Sequence, residues 1–475
     1  MRKAKIIATI GPVSCTLRAL VNLIEAGLDV ARINMSHGSR QEHLEAIQNI
    51  REASKKTKKE VAILIDLQGP KIRVDALKKP LALKQGDVWA LGASSRALKH
   101  PEFKHNFIPT AYKGIADKIG KGDTILFDDG RMAVKALEKN QDIWKVEVIT
   151  PGSLGSSKGI NLPHSTPNIK ALTPKDHDDI LFAIENDCDY LALSFVQQKK
   201  DILELRDLLA KHHSTIPIVA KIEKSHAIDN LDDIIWASDA VMVARGDLGV
   251  EIGNHLVPLF QKKIINRCNE LRKPVITATQ MLDSMTYNPS PSRAESSDVA
   301  NAIWDGTDAV MLSSETATGE YPLETVKMME AIILEAEKEP KKRPLLRNIS
   351  LVNVGESVMV AASVVAEKIH AKKILSLTES GMSCYRISLF RPQTPVVAIT
   401  NKIETARRVS LYWGVDALLV HALDDSLAPA DIRDTLLSLV CKKYSLKSKD
   451  RIVITRGGGK LFATGTSNSL KVEII

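Results

Sequence analysis

The chain has 475 residues, 44% of them hydrophobic and 26% charged, a balance that suits about two to four globular domains and excludes a mainly disordered protein. A formal net charge of +8 suits an anionic small substrate or a nucleic acid, but only 4% of residues are aromatic and none interleaves the basic patches at 55–59 and 339–344, which read as a solvated helix end and a linker. Five scattered cysteines without a C-x-x-C predict free thiols in a reducing, cytoplasmic setting, no run approaches the ~18 apolar residues of a membrane span, and the apolar run in MRKAKIIATIG is too short for a signal peptide.

In chain order, short apolar runs predict strands at 5–11, 30–35, 61–67, 190–196, 217–223, 240–246, 274–280 and 309–314. Amphipathic segments such as LRALVNLIEAG and HLVPLFQKKIINRCNELRK fill the gaps, and LETVKMMEAIILEAEK follows the last run. A strand followed by a helix, eight times over, predicts a (β/α)8 TIM barrel, and near-continuous apolar strands suit a parallel sheet buried on both faces. One gap is far too long. Between Leu67 and Tyr190 the runs GDVWALGAS, GDTILFDDG and IWKVEVIT read as strands, so 70–169 is expected to be an inserted β-barrel lid over the catalytic end. The barrel then comprises 1–69 and 170–340.

After the linker KEPKKRPLLRN the pattern restarts. Helices ESVMVAASVVAEKI, MSCYRISLF, ETARRVSLYW and PADIRDTLLSLVCKK alternate with strands AKKILSLT, PVVAIT, DALLVHAL and RIVITR, and LKVEII closes the chain. This predicts a C-terminal α/β domain over 345–475.

Active-site groups of a TIM barrel lie at the carboxyl ends of its strands. Arg32, Asn34 and Ser36 end the second strand on one face, as do Lys221 and Glu223 on the fifth, because successive side chains of a strand alternate sides. A lysine inside a barrel needs a partner or an anion. Glu223 and Asp247, on adjacent strand ends, are either structural acids or a pair for Mg2+, which takes one or two carboxylates plus water and substrate phosphate oxygens. Lys221 beside them can neutralise a phosphoryl group in transfer, and Arg32 offers a planar fork for phosphate. Backbone amides of Gly246 and Asp247 at a helix N-terminus suit a carboxylate. Thr279 is either an ordinary strand residue or a group that orders water or relays a proton. The chain has neither a P-loop nor the kinase G-x-G-x-x-G with V-A-I-K, so phosphoryl transfer here belongs to a barrel.

The segments TIGP, ARINMSHG, DLQGPKIR, LSFV, AKIE, VMVARGDLGVEI, PVITATQML, PSRAESSDVANAIWDGTDAVMLSSETATGEYP and TESG together resemble the pyruvate kinase family, in one order from the first strand to the C-terminal domain. The resemblance implies transfer of the phosphoryl group of phosphoenolpyruvate to ADP, with Mg2+ or Mn2+ as cofactor, in a homotetramer whose C-terminal domain is regulatory. It implies catalytic or substrate-binding roles for Lys221, Arg32, Gly246, Asp247 and Thr279, metal ligation by Glu223 and Asp247, and nucleotide-phosphate contacts by Arg73 and Lys158. The enolate product takes its proton from water or from hydroxyls near Thr279 and Ser313. In the C-terminal domain Thr378, Ser380, Gly381 and Ser383 are expected to cradle an effector phosphate, from a sugar phosphate or AMP. No nucleic-acid or membrane partner is expected.

Ser314, Gln197 and Met382 depart from the family pattern, Met382 by removing a common polar or basic residue beside the effector turn. The family's K+ site would map to Asn34, Ser36, Asp66 and the Leu67 carbonyl. Leu67, Gln68, Lys71 and Val74 instead resemble the K+-independent members, in which a tethered ammonium at Lys71 replaces the ion near Asp66 and the substrate phosphate. Mg2+-dependent, K+-independent activity is therefore expected. The alternatives are a metal-dependent barrel lyase or aldolase, which needs no nucleotide lid, and a catalytically silent metabolite sensor.

Overall fold

The computed structural model describes residues 2–95, 103, 106–163, 170–339, 353–421, 429–457, 462 and 467–475. Residues 340–348 of the linker KEPKKRPLLRN, the expected start of the C-terminal domain at 345 and the lid boundary at 169 lie outside them.

Strands β1 (Lys5–Thr9), β2 (Val30–Asn34) and β3 (Ala62–Asp66) open the chain. Then come β4 (Leu81–Leu83), β5 (Val88–Ala93), β6 (Phe107–Thr110), β7 (Thr124–Phe127), β8 (Met132–Asn140), β9 (Ile143–Thr150), β10 (Gly152–Leu154) and β11 (Ile160–Asn161). The next five are β12 (Tyr190–Leu193), β13 (Ile218–Ile222), β14 (Ala240–Ala244), β15 (Val275–Ala278) and β16 (Ala309–Leu312). The first three and these five close into one parallel barrel in chain order, as the apolar runs predict.

Period two decides what each strand offers the interior. Ile7, Val30, Leu64, Tyr190, Val219, Met242, Ile276 and Met311 form one buried cluster inside the barrel, while Ile6, Ala8, Ile63 and Ala220 belong to the core between strands and helices. Two residues further along, the same inward columns carry Thr9, Arg32, Asp66 and Lys221. The apolar floor and the polar mouth are thus consecutive inward positions on the same strands. Local chemistry sets the helices between them. Ser39 and Glu42 form a capping box at the start of the Arg40–Thr57 helix, and Ser292 with Glu295 does the same for Arg293–Asp305. Lys55 and Lys56 lie in the last turn of Arg40–Thr57, where positive charge suits the helix dipole.

The strands between β3 and β12 build a six-stranded sheet in the order β11-β7-β8-β9-β5-β6 and a two-stranded pair β10-β4, around their own apolar core. Sequence reasoning assigned β5, β7 and β9 but not β8, whose MAVKALEKN mixes charged and apolar residues without clean alternation.

Strands β17 (Lys373–Leu377), β18 (Val396–Thr400), β19 (Val415–Leu419), β20 (Arg451–Gly457) and β21 (Ser467–Ile474) form the C-terminal sheet, ordered β19-β18-β17-β20-β21 with β21 antiparallel. The helix expected over 404–413 stops at Arg408, and a 3-10 turn follows at Val409–Leu411. The reason is tertiary: Leu411 is buried among the side chains inside the barrel and seals its floor. Lys5 Nζ donates to the Val415 carbonyl at 2.6 Å and Tyr190 Oη to the Arg408 carbonyl at 2.7 Å, tying the two units together there. The five cysteines are free thiols, and among the described residues no helix is long and apolar enough to cross a membrane.

Candidate active site

The polar mouth is a chain of ion pairs. Asp66, at the end of β3, accepts from Arg32 Nε at 2.7 Å and faces Arg32 Nη2 at 2.7 Å through the same oxygen, while its other oxygen lies 3.1 Å from Lys221 Nζ. Lys221 also stands 2.7 Å from Glu223 Oε1 and donates to Ser194 Oγ at 2.8 Å. Arg32 Nη1 donates to Thr9 Oγ1 at 2.8 Å. Arg32 and Lys221 are each 9% exposed and Glu223 is 1% exposed, so these charges are almost entirely desolvated and hold one another in place.

Electrostatics divides their roles. Burial opposes the Asp66 charge, but Lys221 and Arg32 outweigh it and hold its pKa below the ordinary carboxylate value. Burial likewise opposes the Lys221 ammonium, yet Asp66 and Glu223 keep its pKa above the ordinary lysine range. Glu223 moves the other way. Burial pushes its carboxyl up, Lys221 only partly offsets this because it is shared with Asp66, and the nearby Asp247 charge adds to the rise. The Glu223 carboxyl, with the Asp247 charge close by, is therefore only partly neutralised by its protein neighbours.

That deficit is the test of fit for a divalent cation. Among the described residues no group of three or more His, Cys, Asp or Glu side chains is arranged to hold a metal. Glu223 and Asp247 therefore suit an ion that takes few protein ligands and completes its shell with water and phosphate oxygens, as Mg2+ does.

Asp247 sits in the first turn of the Arg245–Ile252 helix, directly after β14. Ala244 provides no side-chain cap there. Instead the Gly246 amide donates to Thr279 Oγ1 at 2.9 Å, which joins the strand-six and strand-seven ends. Thr279 Oγ1 in turn donates to the Ala278 carbonyl at 2.7 Å. Ser313, at the eighth strand end, donates its amide to the buried Glu315 carboxylate at 2.6 Å.

The stretch DLQGPKIR leads out of β3 toward the lid. Gly69 has φ +65°, and a Cβ there would come within 2.7 Å of the Phe195 ring, so only glycine fits this turn. Beyond it the chain runs alongside the lid's return: the Val74 amide donates to the Lys158 carbonyl at 2.8 Å, and the Ile160 amide to the Ile72 carbonyl at 2.9 Å. This pairing brings Lys71, Arg73 and Lys158 to one edge. Arg73 Nη1 donates to the Ser157 carbonyl at 2.9 Å, and Lys158 Nζ pairs with Asp128 at 2.8 Å.

Lys71, expected to bring its charge near Asp66 and the substrate phosphate, is not an ion-pair partner of Asp66, whose pairs are with Arg32 and Lys221. Lys71 Nζ lies 3.6 Å from Asp247 Oδ1 and 3.6 Å from Asp129 Oδ1 of the lid. A Cβ on Gly159 would sit 2.9 Å from Lys71 Cε, so the lysine stem runs against the lid's returning backbone, which directs it to the Asp247 rim.

Of the residues expected around a monovalent cation, Asn34 accepts from the Ser36 amide at 3.1 Å and the Leu67 carbonyl accepts from Ser194 Oγ at 2.7 Å. Both Asp66 oxygens carry cationic partners. The mouth thus brings together Arg32, Asp66, Lys221, Glu223, Asp247, Gly246 and Thr279, with Lys71 at the rim. Thr378, Ser380, Gly381 and Ser383 lie in the other α/β unit. There the Gly381 amide donates to Thr378 Oγ1 at 2.9 Å, Lys402 pairs with Glu379 at 2.6 Å, and Met382 is exposed. Sequence reasoning missed Arg245, although it stands inside the segment ARGDLG.

Comparison with known proteins agrees with this geometry. The family model described as the pyruvate kinase barrel domain matches residues 1–326, and the one described as the pyruvate kinase alpha/beta domain matches 356–473. Pyruvate kinase of Geobacillus stearothermophilus is 42% identical over all of this chain and 80% of its own length. Pyruvate kinase of Bacillus licheniformis is 40% identical over all of this chain and 81% of its own. Pyruvate kinase 2 of a Synechocystis strain is 40% identical, with 79% of its length covered.

Proposed function

The chain belongs to the pyruvate kinase family, and from that premise we propose that its barrel mouth transfers the phosphoryl group of phosphoenolpyruvate to ADP, giving pyruvate and ATP. The observation that carries this reading is Lys221, a buried ammonium held between Asp66 and Glu223 at the strand ends. A fixed positive charge in a desolvated mouth favours a phosphoryl group most while that group is between donor and acceptor. Arg32 binds the phosphate of phosphoenolpyruvate, and the first-turn amides of the Arg245–Ile252 helix with Thr279 orient its carboxylate. Glu223 and Asp247 hold the divalent cation, Mg2+ or Mn2+. When bound, the cation supplies the positive charge that this carboxylate pair lacks and orients phosphate oxygens. The enolate left by transfer is protonated at carbon by water or through the hydroxyls near Thr279 and Ser313.

Residues 1–69 with 170–340 act as the catalytic barrel, 70–169 as a lid and 345–475 as a regulatory domain. Arg73 and Lys158, at the hinge edge, hold the nucleotide phosphates, so lid position governs ADP capture. Catalysis needs no K+. Lys71 supplies a tethered positive charge at the Asp247 rim, and the Asp66 oxygens that would otherwise face a monovalent ion are held by Arg32 and Lys221. The turn Thr378–Ser383 takes a phosphorylated effector, a sugar phosphate or AMP, and the active form is a cytoplasmic homotetramer. A coupled assay tests the activity: pyruvate must form from phosphoenolpyruvate only when ADP and Mg2+ are both present. ADP-independent pyruvate formation contradicts the reading.

A further inference from the structure

We propose that Arg245 is a positioning residue for this reaction. It clamps the backbone of Thr279 and Gln280 in a left-handed conformation and so fixes where the Thr279 hydroxyl stands. The proposal rests on the reading of Thr279 as a substrate-facing group.

Strand β15 ends at Ala278, and the next two residues take φ +65° at Thr279 and +52° at Gln280. A β-branched residue rarely occupies that region, because its Cβ crowds the adjacent carbonyl, and it persists only where the surroundings enforce it. The turn also carries the carbonyls of this segment away from regular strand pairing, and buried carbonyls need donors.

One side chain meets them all. Arg245 Nε lies 3.2 Å from both the Ala278 and Thr279 carbonyls, and Nη2 donates to Thr279 O at 2.7 Å and Gln280 O at 3.1 Å. Its remaining edge is anchored, with Nη1 donating to Asp298 Oδ1 at 2.8 Å and to Gln261 Oε1 at 3.2 Å. Arg245 is 8% exposed, so these contacts form away from water. A planar guanidinium with five N–H groups can span three successive carbonyls and an anchoring carboxylate. An ammonium cannot.

The clamp has two consequences at the site. It directs Thr279 Oγ1 so that it accepts from the Gly246 amide while its own proton goes to the Ala278 carbonyl. And because Arg245 immediately precedes Gly246 and Asp247, one residue ties the helix bearing a metal-ligand carboxylate to the loop bearing Thr279. The strain at Thr279 and Gln280 is then the means of holding the hydroxyl in place, and no other residue on that loop needs to touch substrate for the effect.

The test compares wild type, Arg245→Ala, Arg245→Lys and Asp298→Asn in the ADP-dependent pyruvate assay. Arg245→Ala is expected to lower kcat about 100-fold, the scale of a small displacement at a reacting centre. The KM for ADP should stay within about twofold of wild type, because the nucleotide is read from the lid edge and only orientation at the mouth is lost. Millimolar guanidinium or methylguanidinium should restore part of the lost kcat to Arg245→Ala, whereas urea or NaCl at the same concentration should not. Arg245→Lys should behave like Arg245→Ala. Asp298→Asn loosens only the anchor and is expected to lower kcat by a smaller factor with the ADP KM unchanged. It decides the matter if Arg245→Ala does not fold. Wild-type kcat in Arg245→Ala, in Arg245→Lys, or in Asp298→Asn when it alone folds, overturns the proposal. So does a loss in Arg245→Ala that guanidinium leaves untouched. Wild-type turnover in the same assay distinguishes such a failure from a failure of the kinase reading.

Discussion

Lys71 Nζ stands 3.6 Å from Asp247 Oδ1, so a cation from the lid's hinge meets the carboxylate that begins the strand-six helix. Lys71 reaches the same distance to Asp129 of the lid. Lys71 therefore joins the barrel rim to the inserted β unit through one positive charge.

Replacing that charge is the test of K+ independence. Wild-type activity should be the same in sodium, potassium or tetramethylammonium buffers. Lys71→Glu sets a like charge against Asp247 and Asp129, and its kcat should fall at least tenfold in the absence of K+ and recover in part when K+ is added. Strong activation of the wild type by K+ would contradict this role for Lys71.

The hinge edge should separate nucleotide binding from phosphoenolpyruvate binding. Arg73→Ala and Lys158→Ala are expected to raise the KM for ADP about tenfold, the cost of about one phosphate contact, with the KM for phosphoenolpyruvate changed less than about twofold. Initial rates with each substrate varied in turn check this. An equal effect on both substrates would count against the assignment.

Acid stability depends on a second cluster, below the barrel floor. Asp29 accepts from the Ile6 amide at 2.9 Å and pairs with Arg2 at 2.8 Å and Lys59 at 3.0 Å. Burial opposes its charge, but Arg2, Lys59 and Lys5 together hold its pKa well below the ordinary value of 3.8. A depressed folded pKa means that the stabilisation is complete above 3.8 and is lost as pH falls through the folded value. Asp29→Asn should lower Tm at pH 7, consistent with about 3–5 kcal/mol for breaking a buried ion pair. The gap to wild type should narrow progressively below pH 3.8. A gap that stays constant in acid would show that Asp29 does not act through its charge.

Leu411 links the barrel floor to the C-terminal unit. Leu411→Ala empties part of the interior cluster and should cost about 2–5 kcal/mol, seen as a lower Tm in thermal unfolding. Activity well below Tm should fall less than about tenfold, because the cavity lies one layer beneath the polar mouth. A Tm unchanged from wild type would mean that the floor is not sealed by this side chain.

How much of this could be read in advance depends on what each residue answers to. The barrel strands were legible because burial on both faces leaves unbroken apolar runs, and the alternation along the second and fifth strands placed Arg32 on one face with Asn34 and Ser36, and Lys221 on one face with Glu223. Strand β8 was not legible, since its half-exposed lid position tolerates Lys135, Glu138 and Lys139 among apolar residues. The early end of the helix at Arg408 follows from the demand that Leu411 enter the barrel, a contact that local propensity cannot register. Lys71 beside Asp247 depends on the lid's return passing the hinge, which no spacing reveals. Arg245 escaped notice because the groups it clamps are backbone carbonyls, which leave no trace in residue identity, and its anchors Asp298 and Gln261 lie far from it in sequence.

If the Lys221 site moves a phosphoryl group from phosphoenolpyruvate to ADP, the transfer is visible at phosphorus. Phosphorus NMR of wild type and Lys221→Met, each with phosphoenolpyruvate, ADP and Mg2+, follows that transfer directly. The prediction is growth of the ATP γ-phosphorus signal at the rate at which phosphoenolpyruvate disappears in the wild type, and a rate at least about 1,000-fold lower in a folded Lys221→Met protein. Equal rates in the two proteins, or inorganic phosphate appearing in place of ATP, would contradict it.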